Sequence, residues 1–291
     1  MKNFNDDLNE AFLVGSKNDF NKNRLEQLCA SEGIELEAFA PKTVKAIKNK
    51  VIPLRQNYLE GLIRSKTINN FSAGAGGGKT YTVLGTCVAM ATATRFLYWK
   101  AETPVKIVYI DAEMPEEDIQ ERLFQFSEGF NGEQLELLDN NLSVMNTDDI
   151  GLNIPDLTSE IGQGIVEHYA KDAQVLVLDN FISVLSETDD KDPLKMKEFT
   201  NWLRKLRSSG LAVITVNHTV KSGDRMGSSI LDTFNDLTID LKAPTVKKNE
   251  EPKEHIEWVF SKARHRNAEN KRTIPFKFSV TNNGVIFNVV R

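Results

Sequence analysis

From residue 67 onward, short apolar strand patterns alternate with segments of helical length. Strands connected in this way lie parallel, and their continuous apolar runs indicate burial on both faces. The pattern therefore predicts a three-layer α/β domain with a mostly parallel central sheet. The segments are KTINNFSA, YTVLGTCVAMATATRF, KIVYIDAEM, EEDIQERLFQF, AQVLVLDNF, LKMKEFTNWLRKLRSSG and LAVITVNHT.

The two ends of the chain follow other patterns. Past residue 236 only strand patterns occur, and Asn282-Asn283-Gly284 between the last two is typical of a tight hairpin, which predicts C-terminal antiparallel strands. Residues 1–66 show helical patterns interrupted by prolines and no convincing strand. We therefore predict a small helical N-terminal segment at 1–66 and one α/β domain at 67–291.

Composition narrows the class of protein. With 40% hydrophobic and 26% charged residues in 291 positions, the chain can bury a full core. Its formal charge of −5 argues against coating nucleic acid over the whole surface, although a local basic surface remains compatible. The two cysteines are too few for a metal tetrad and are interpreted as reduced core thiols. Because neither a signal peptide nor a membrane segment is visible, we expect a cytoplasmic protein.

A glycine-rich stretch, SAGAGGGKT at residues 72–80, lies between a predicted strand and a predicted helix. It fits the phosphate-binding loop, in which glycine N–H groups and a helix N-terminus surround an anion. Lys79 would reach the β- and γ-phosphates of ATP, and Thr80 would offer a hydroxyl to Mg²⁺. A flexible linker, the alternative, would have Ser or Pro neighbours and no flanking periodicity. The candidate nucleotide-binding residues are Gly74, Gly76, Gly77, Gly78, Lys79, Thr80 and Tyr81.

Acidic residues follow the predicted strands at the edge where α/β sheets bind ligands. Asp179 ends VLVLD and predicts a Mg²⁺ ligand, although Asp-Asn is also ordinary turn chemistry. Many ATPases place a catalytic glutamate next, but here the neighbour is Asn180, so the general base has to come from elsewhere. Glu113 is the candidate base, with Asp111 supporting the metal or Glu113 itself. Both acids could instead cap the next helix.

Five motifs in this order resemble those of the RecA-like ATPases, and most of all the RepA-type hexameric replicative helicases of plasmids and phages. They are GAGGGKT, YIDAEM, VLVLDN, VITVNHTVKSGDRMGSSILDTFNDLTIDL and VFSKARHRN, within roughly residues 60–291. The resemblance implies a RecA-like fold and ATP hydrolysis with Mg²⁺ at the subunit interfaces of a homo-oligomeric ring, a hexamer, that moves on single-stranded DNA. A replication initiator or a primase is a further candidate partner.

Several site residues take their roles from this resemblance. The family's catalytic base ends its second strand and matches Glu113. A histidine that ends its fourth strand and contacts the γ-phosphate matches His218, although a lone His at a strand end is more often structural. Lys262 and Arg264 match a Lys-x-Arg pair that reaches the γ-phosphate bound by the neighbouring subunit. A cationic strand edge that resists aggregation is the alternative for this pair.

The segment after His218, TVKSGDRMGSS, is rich in Gly and Ser and contains Lys221 and Arg225. Such a loop suits a segment that orders around a backbone phosphate, and the family places it at the central pore, so both cations are candidate DNA contacts. In the family an Arg directly precedes Gly-Ser-Ser, whereas here Met226 takes that position. The alternative is that this segment is a solvated loop. The basic stretch 42–66 is interpreted as a solvated helix face, with docking on a neighbour or on DNA as alternatives.

Three functions are compatible with these residues. The first is an ATP hydrolase that acts as a helicase, favoured by Lys262 and Arg264. The second is a RecA-like ATPase of recombination, repair or signalling that assembles on DNA or protein without unwinding. The third is a nucleotide-binding regulator that hydrolyses poorly.

Overall fold

The structure is a computed structural model of the chain. It describes residues 22–74, 76–150, 156–185, 192–219, 233–244, 255–264, 273–282 and 284–290. The chain divides into two compact units after Leu54. The predicted boundary lies farther along the chain, at residue 66, so two short strands between residues 57 and 64 fall in the second unit and not in the predicted helical segment.

The described part of the first unit is helical, as predicted. It contains α1 (Lys22–Ser31), a 3₁₀ turn (Leu36–Phe39) and α2 (Val44–Asn49). Thr43 caps α2, because its hydroxyl accepts the N–H of Ala46 at 3.2 Å.

A nine-stranded sheet forms the centre of the second unit, in the order β13-β12-β11-β10-β3-β9-β8-β6-β7. The six strands from β10 to β7 run parallel, and β11, β12 and β13 extend the sheet antiparallel. This confirms the predicted mostly parallel sheet and the antiparallel C-terminal strands. The strands of the sheet are β3 (Ile68–Ala73), β6 (Ile107–Asp111), β7 (Leu142–Asn146), β8 (Val175–Asp179), β9 (Ala212–His218), β10 (Leu237–Lys242), β11 (Ile256–Ala263), β12 (Ile274–Thr281) and β13 (Gly284–Val289).

Helices cover both faces of this sheet, which gives the three predicted layers. One apolar cluster holds residues of α3, α4 and α5, and a second cluster holds residues of α6 and α7. The helices are α3 (Lys79–Ala91), α4 (Glu116–Ser127), α5 (Gly132–Asn141), α6 (Glu160–Tyr169) and α7 (Pro193–Ser209). No helix in the described ranges is both long and apolar enough to cross a membrane.

Two short hairpins and one edge strand were not predicted. The hairpins pair β1 (Asn57–Leu59) with β2 (Ile63–Arg64) and β4 (Arg95–Phe96) with β5 (Trp99–Lys100). Strands of two or three residues carry too few positions to show an alternation of apolar and polar residues. The edge strand β7 is only half-buried over most of its length, so its sequence lacks the apolar run of its neighbours.

Candidate nucleotide-binding site

The loop between β3 and α3 has a conformation that requires glycine. Gly76 and Gly78 have φ values of 69° and 74°, in the left-handed region. A Cβ on Gly77 would lie 2.8 Å from the Cβ of Ala73 and 2.9 Å from the carbonyl oxygen of Gly74, closer than packed atoms approach. The Gly77 N–H donates to that same carbonyl at 3.1 Å. The glycines therefore permit a tight turn directly before the helix.

Helix α3 begins at Lys79, and its N-cap, Gly78, has no side chain to cap it. The first N–H groups of a helix have no intrahelical acceptor, and the helix dipole adds positive potential at the same end. A glycine turn that ends in such a helix start is suited to a phosphate group.

The Lys79 side chain is folded back onto this loop and is buried. Its Nζ donates to the carbonyl oxygens of Ala73 at 3.4 Å and Gly74 at 3.3 Å, and it lies 3.1 Å from Nδ1 of His218. Burial lowers the pKa of Lys79, although the nearby Glu113 and Asp179 carboxylates oppose this shift. The ammonium group thus has three contacts, the two to carbonyl oxygens being long, that phosphate oxygens could replace.

Glu113 lies just beyond the end of β6 and is held by two side chains. Its Oε2 accepts the Asn180 Nδ2–H at 3.1 Å and lies 3.1 Å from Nε2 of His218. Burial alone raises the pKa of Glu113, but the hydrogen bonds from Asn180 and His218 outweigh it, so the pKa falls below its ordinary value. Glu113 is therefore ionised at neutral pH and able to accept a proton.

His218 joins Lys79 to Glu113 through its two ring nitrogens. Lys79 can only donate, so Nδ1 accepts, and a neutral ring then carries its proton on Nε2 and donates it to Glu113. The last residue of β9 thus connects the predicted phosphate ligand to the predicted base. Sequence had predicted a role for His218 and Glu113 but not this direct contact.

Two buried carboxylates, Asp111 and Asp179, lie opposite each other on neighbouring strands. Asp111 Oδ1 accepts the N–H groups of Glu113 at 3.0 Å and Met114 at 3.1 Å, and Asp179 Oδ2 accepts the Tyr109 hydroxyl. Burial raises the pKa of Asp179 to about 7, and burial also raises the pKa of Asp111. The second oxygen of each group, Asp111 Oδ2 and Asp179 Oδ1, has no hydrogen-bond partner in the described part of the chain.

These orphaned oxygens fit a Mg²⁺ ion. Within the described residues no three Asp, Glu, His or Cys side chains converge to hold a metal by themselves. In nucleotide sites Mg²⁺ needs only one or two protein carboxylates, because phosphate and water oxygens complete its octahedron. Asp179, with Asp111 and the Thr80 hydroxyl, would hold the ion beside a bound triphosphate.

Tyr81, the last of the predicted nucleotide contacts, is engaged in packing. Its ring stacks on Phe278 at 4.9 Å between centroids, Arg122 lies 4.9 Å above it, and its hydroxyl donates to Gln125 Oε1 at 2.8 Å. Phe278 also lies against the turn, since a Cβ on Gly78 would come within 2.9 Å of its ring. The structure therefore connects Tyr81 to β12 and α4, and its contact with a nucleotide stays a prediction.

Lys262 and Arg264 lie at the opposite edge of the sheet from the phosphate loop. Their strand, β11, runs antiparallel to β10, so Ala263 pairs with Leu237, which in turn pairs with Asn69 at the start of β3. The loop begins after Ala73, four residues or about 13 Å farther along β3. Both cations donate to the carbonyl oxygen of Thr233, Lys262 at 3.2 Å and Arg264 at 2.6 Å. The pair is therefore not part of the phosphate site of its own chain.

The two predicted DNA contacts, Lys221 and Arg225, lie outside the described residues. Their segment begins directly after Thr219, whose N–H donates to the carbonyl oxygen of Ala73 at 2.9 Å. Two residues of the site were missed from the sequence. Tyr109 precedes Asp111 by two positions and so lies on the same strand face, a spacing that could have revealed it. In the sequence Asn180 was noted only because many ATPases have a glutamate at this position, although its side chain hydrogen-bonds the candidate base, Glu113.

The fold and the loop are matched by known proteins. The sequence profile of the AAA domain family AAA_25 matches residues 35–224, so the chain belongs to this family. A solved structure, a KaiC-like protein from the hyperthermophilic archaeon Pyrococcus horikoshii OT3, is similar with a TM-score of 0.54 and 18% identity, over 79% of this chain and 93% of that one. No curated protein matches the sequence. The chain is a RecA-like P-loop ATPase by family and fold.

Proposed function

We propose that this ATPase is a DNA helicase or translocase that binds ATP with Mg²⁺ and hydrolyses it between the subunits of a homo-oligomeric ring. The observation that carries the proposal is the contact chain from Lys79 through His218 to Glu113, together with a Lys262–Arg264 pair that lies at the other edge of the sheet. The edge with the phosphate loop carries phosphate ligands and a base. The other edge carries cations that lie too far from the phosphate site of the same chain to act there.

The reaction that these groups support is phosphoryl transfer to water. Ionised Glu113 would take a proton from the attacking water, and Lys79 with the start of α3 would stabilise the charge on the β- and γ-phosphates. Bound Mg²⁺ would neutralise charge on the same oxygens. Arg264 and Lys262 of an adjacent subunit would stabilise the charge that develops on the transferred group.

The contact between Lys79 and His218 supports a link from the nucleotide to the DNA. A γ-phosphate would draw Lys79 away from His218 Nδ1, because an ammonium ion binds a phosphate more strongly than a neutral ring nitrogen. His218 is the last residue of β9, directly before the segment that holds Lys221 and Arg225. Loss of ATP would therefore alter the anchor of the predicted DNA loop.

The fold agrees equally with a second function, that of a RecA-like ATPase of recombination, repair or signalling that assembles on DNA or protein without unwinding. The two functions differ in whether hydrolysis displaces a strand.

The test combines ATPase rate, oligomeric mass and strand displacement. We expect single-stranded DNA to stimulate hydrolysis by a ring and the protein to displace a labelled strand from a partial duplex. An ATPase that forms rings but displaces no strand would support the second function instead. Within this assay Lys221→Ala and Arg225→Ala should each flatten the log–log salt dependence of DNA binding by about 0.7. An unchanged slope would assign this loop to solvent.

A further inference from the structure

Asp236 is a buried carboxylate next to the start of β10, at the edge of the sheet that carries Arg264. Its Oδ2 accepts the Ile68 N–H at 3.0 Å, and its own N–H donates to the Ile68 carbonyl oxygen at 2.7 Å. Arg207 at the end of α7 lies 3.7 Å from the same Oδ2. The two hydrogen bonds to Ile68 of β3 therefore fix the orientation of this carboxylate independently of β11, and the longer approach of Arg207 adds little to it.

Arg264 is held by Asp236 through both its main chain and its side chain. The Arg264 N–H donates to the Asp236 carbonyl oxygen at 2.9 Å, and its Nη1 lies 3.9 Å from Asp236 Oδ1. Its Nη2 donates to the Thr233 carbonyl oxygen at 2.6 Å. The Arg264 side chain is nevertheless 45% exposed. One side of the guanidinium is thus fixed to the protein while much of it still faces outward.

We propose that Asp236 is a positioning residue that holds Arg264 in the orientation in which it serves the nucleotide of an adjacent subunit. This inference rests on the proposed function, because it presumes that Arg264 acts in trans. An arginine side chain has many rotamers, and a guanidinium contributes to catalysis only when it is fixed before the transition state forms. A misplacement of about 1 Å can cost a reaction about 10²-fold.

Asp236 also has an ordinary structural role, because it ties β10 to β3 through Ile68. The two roles predict different behaviour of the nucleotide site in the same chain. If Asp236 is purely structural, replacing it should damage the phosphate loop that follows β3. If Asp236 positions Arg264, replacing it should leave that loop intact and weaken only the action of Arg264 on the neighbouring subunit.

The experiment mixes impaired variants under conditions of demonstrated subunit exchange. Asp236→Asn keeps the size of the side chain and an acceptor for Ile68 but removes the negative charge. We expect rings of Asp236→Asn alone to turn over ATP about 10- to 100-fold more slowly than the parent while binding ATP normally. Mixing with Lys79→Ala, which has an intact Arg264, should restore activity. Mixing with Arg264→Ala should restore none, because neither partner then offers a positioned arginine.

The reference pair, Arg264→Ala with Lys79→Ala, tests the trans site separately. If this pair regains activity while Asp236→Asn with Lys79→Ala does not, Asp236 is a structural residue and the inference is wrong. If the reference pair regains no activity, the site is not shared between subunits, and the inference is then wrong as well. Parent-like turnover by Asp236→Asn alone would also overturn the inference.

Two further variants protect the test from a simple loss of folding. Asp236→Glu keeps the charge and should retain more turnover than Asp236→Asn, whereas a steric role would make the longer side chain worse. Arg207→Gln removes another partner of Asp236 without touching Arg264, and it should leave turnover within about twofold of the parent. A loss in Arg207→Gln as large as that in Asp236→Asn would assign the effect to the packing of α7.

Discussion

The two edges of the parallel sheet differ in how their charges are satisfied. At the edge with the phosphate loop, a buried lysine has a lowered pKa, a buried aspartate has a pKa raised to about 7, and two buried carboxylate oxygens have no hydrogen-bond partner in the described part of the chain. At the other edge, Arg264 is half-exposed and is already held by Thr233 and Asp236.

This difference indicates that the edge with the phosphate loop is the one that binds a ligand. Shifted pKa values and orphaned oxygens cost free energy, and a bound triphosphate with its cation would remove that cost. A satisfied arginine that faces outward needs no ligand for its own fold and is available to another molecule. The four predictions below test this division, from the largest expected effect to the smallest.

Removing the outward-facing arginine should have the largest effect. Arg264→Ala should bind ATP like the parent but hydrolyse it about 10³- to 10⁵-fold more slowly, as for other arginines that act in trans. Steady-state ATPase rate and nucleotide affinity measure the two effects separately. Arg95→Ala, at an exposed arginine outside both edges, is the matched control and should stay at the parent rate. Parent-like hydrolysis by Arg264→Ala would remove the functional role of this edge.

Removing the base should have the next largest effect. Glu113→Gln keeps an acceptor oxygen for Asn180 and His218 but cannot take a proton, so we expect hydrolysis to slow by about 10²- to 10⁴-fold with ATP binding retained. Single-turnover hydrolysis measures the chemical step directly. Glu117→Gln, on the exposed first turn of α4, is the control. If Glu113→Gln hydrolyses ATP at the parent rate, the base lies elsewhere.

Much of this contrast could be predicted from the sequence, and part of it could not. The phosphate loop, Asp111, Glu113 and Asp179 were predicted because each follows a recognisable apolar strand, and parallel strands bring their ends to one edge. The role of His218 was predicted from the family resemblance. The strands β1 and β2, which lie within the predicted helical segment 1–66, were missed because they are too short to show a period.

The other edge was less accessible to sequence reasoning. Lys262 and Arg264 were noticed by resemblance, but their distance from the phosphate loop depends on β11 running antiparallel to β10. Asp236 was not noticed, because its partners Ile68, Arg207 and Arg264 are brought to it by three different elements of the fold. Contacts of this kind depend on tertiary packing and leave no local pattern.

The raised pKa of Asp179 predicts a pH dependence of stability. Unfolded Asp179 ionises near pH 4, whereas the folded group keeps its proton to about pH 7. The free energy of unfolding should therefore fall between these values by up to about 1.4 kcal/mol per pH unit, as pH rises. Asp179→Asn lacks this loss and should be more stable than the parent by roughly 2–4 kcal/mol at pH 8, and nearly equal to it at pH 4.

Denaturant unfolding in EDTA and without nucleotide measures this difference at several pH values. The comparison with Asp179→Asn cancels the contributions of acids that do not interact with Asp179. A constant difference between the two proteins from pH 4 to pH 8 would contradict the raised pKa.

The turn itself should show the smallest effect. Gly78→Ala places a Cβ at a φ of 74° and within 2.9 Å of the Phe278 ring, so we expect a loss of about 1–3 kcal/mol in the free energy of unfolding. Gly164→Ala is the control, because it lies in α6 with nothing within 4 Å and should gain about 0.5–1 kcal/mol. Equal effects of the two substitutions would mean that the turn does not need glycine at this position.

The central claim is that the phosphate edge of one chain is completed by the arginine edge of another. The most direct measurement is the ATPase rate per chain over a dilution series that crosses the assembly transition, with mass recorded on the same samples. A shared site predicts that the rate per chain falls by at least 10³-fold as the assemblies dissociate into monomers, in parallel with the mass. Monomers that hydrolyse ATP at the rate of the assembled protein would contradict the claim.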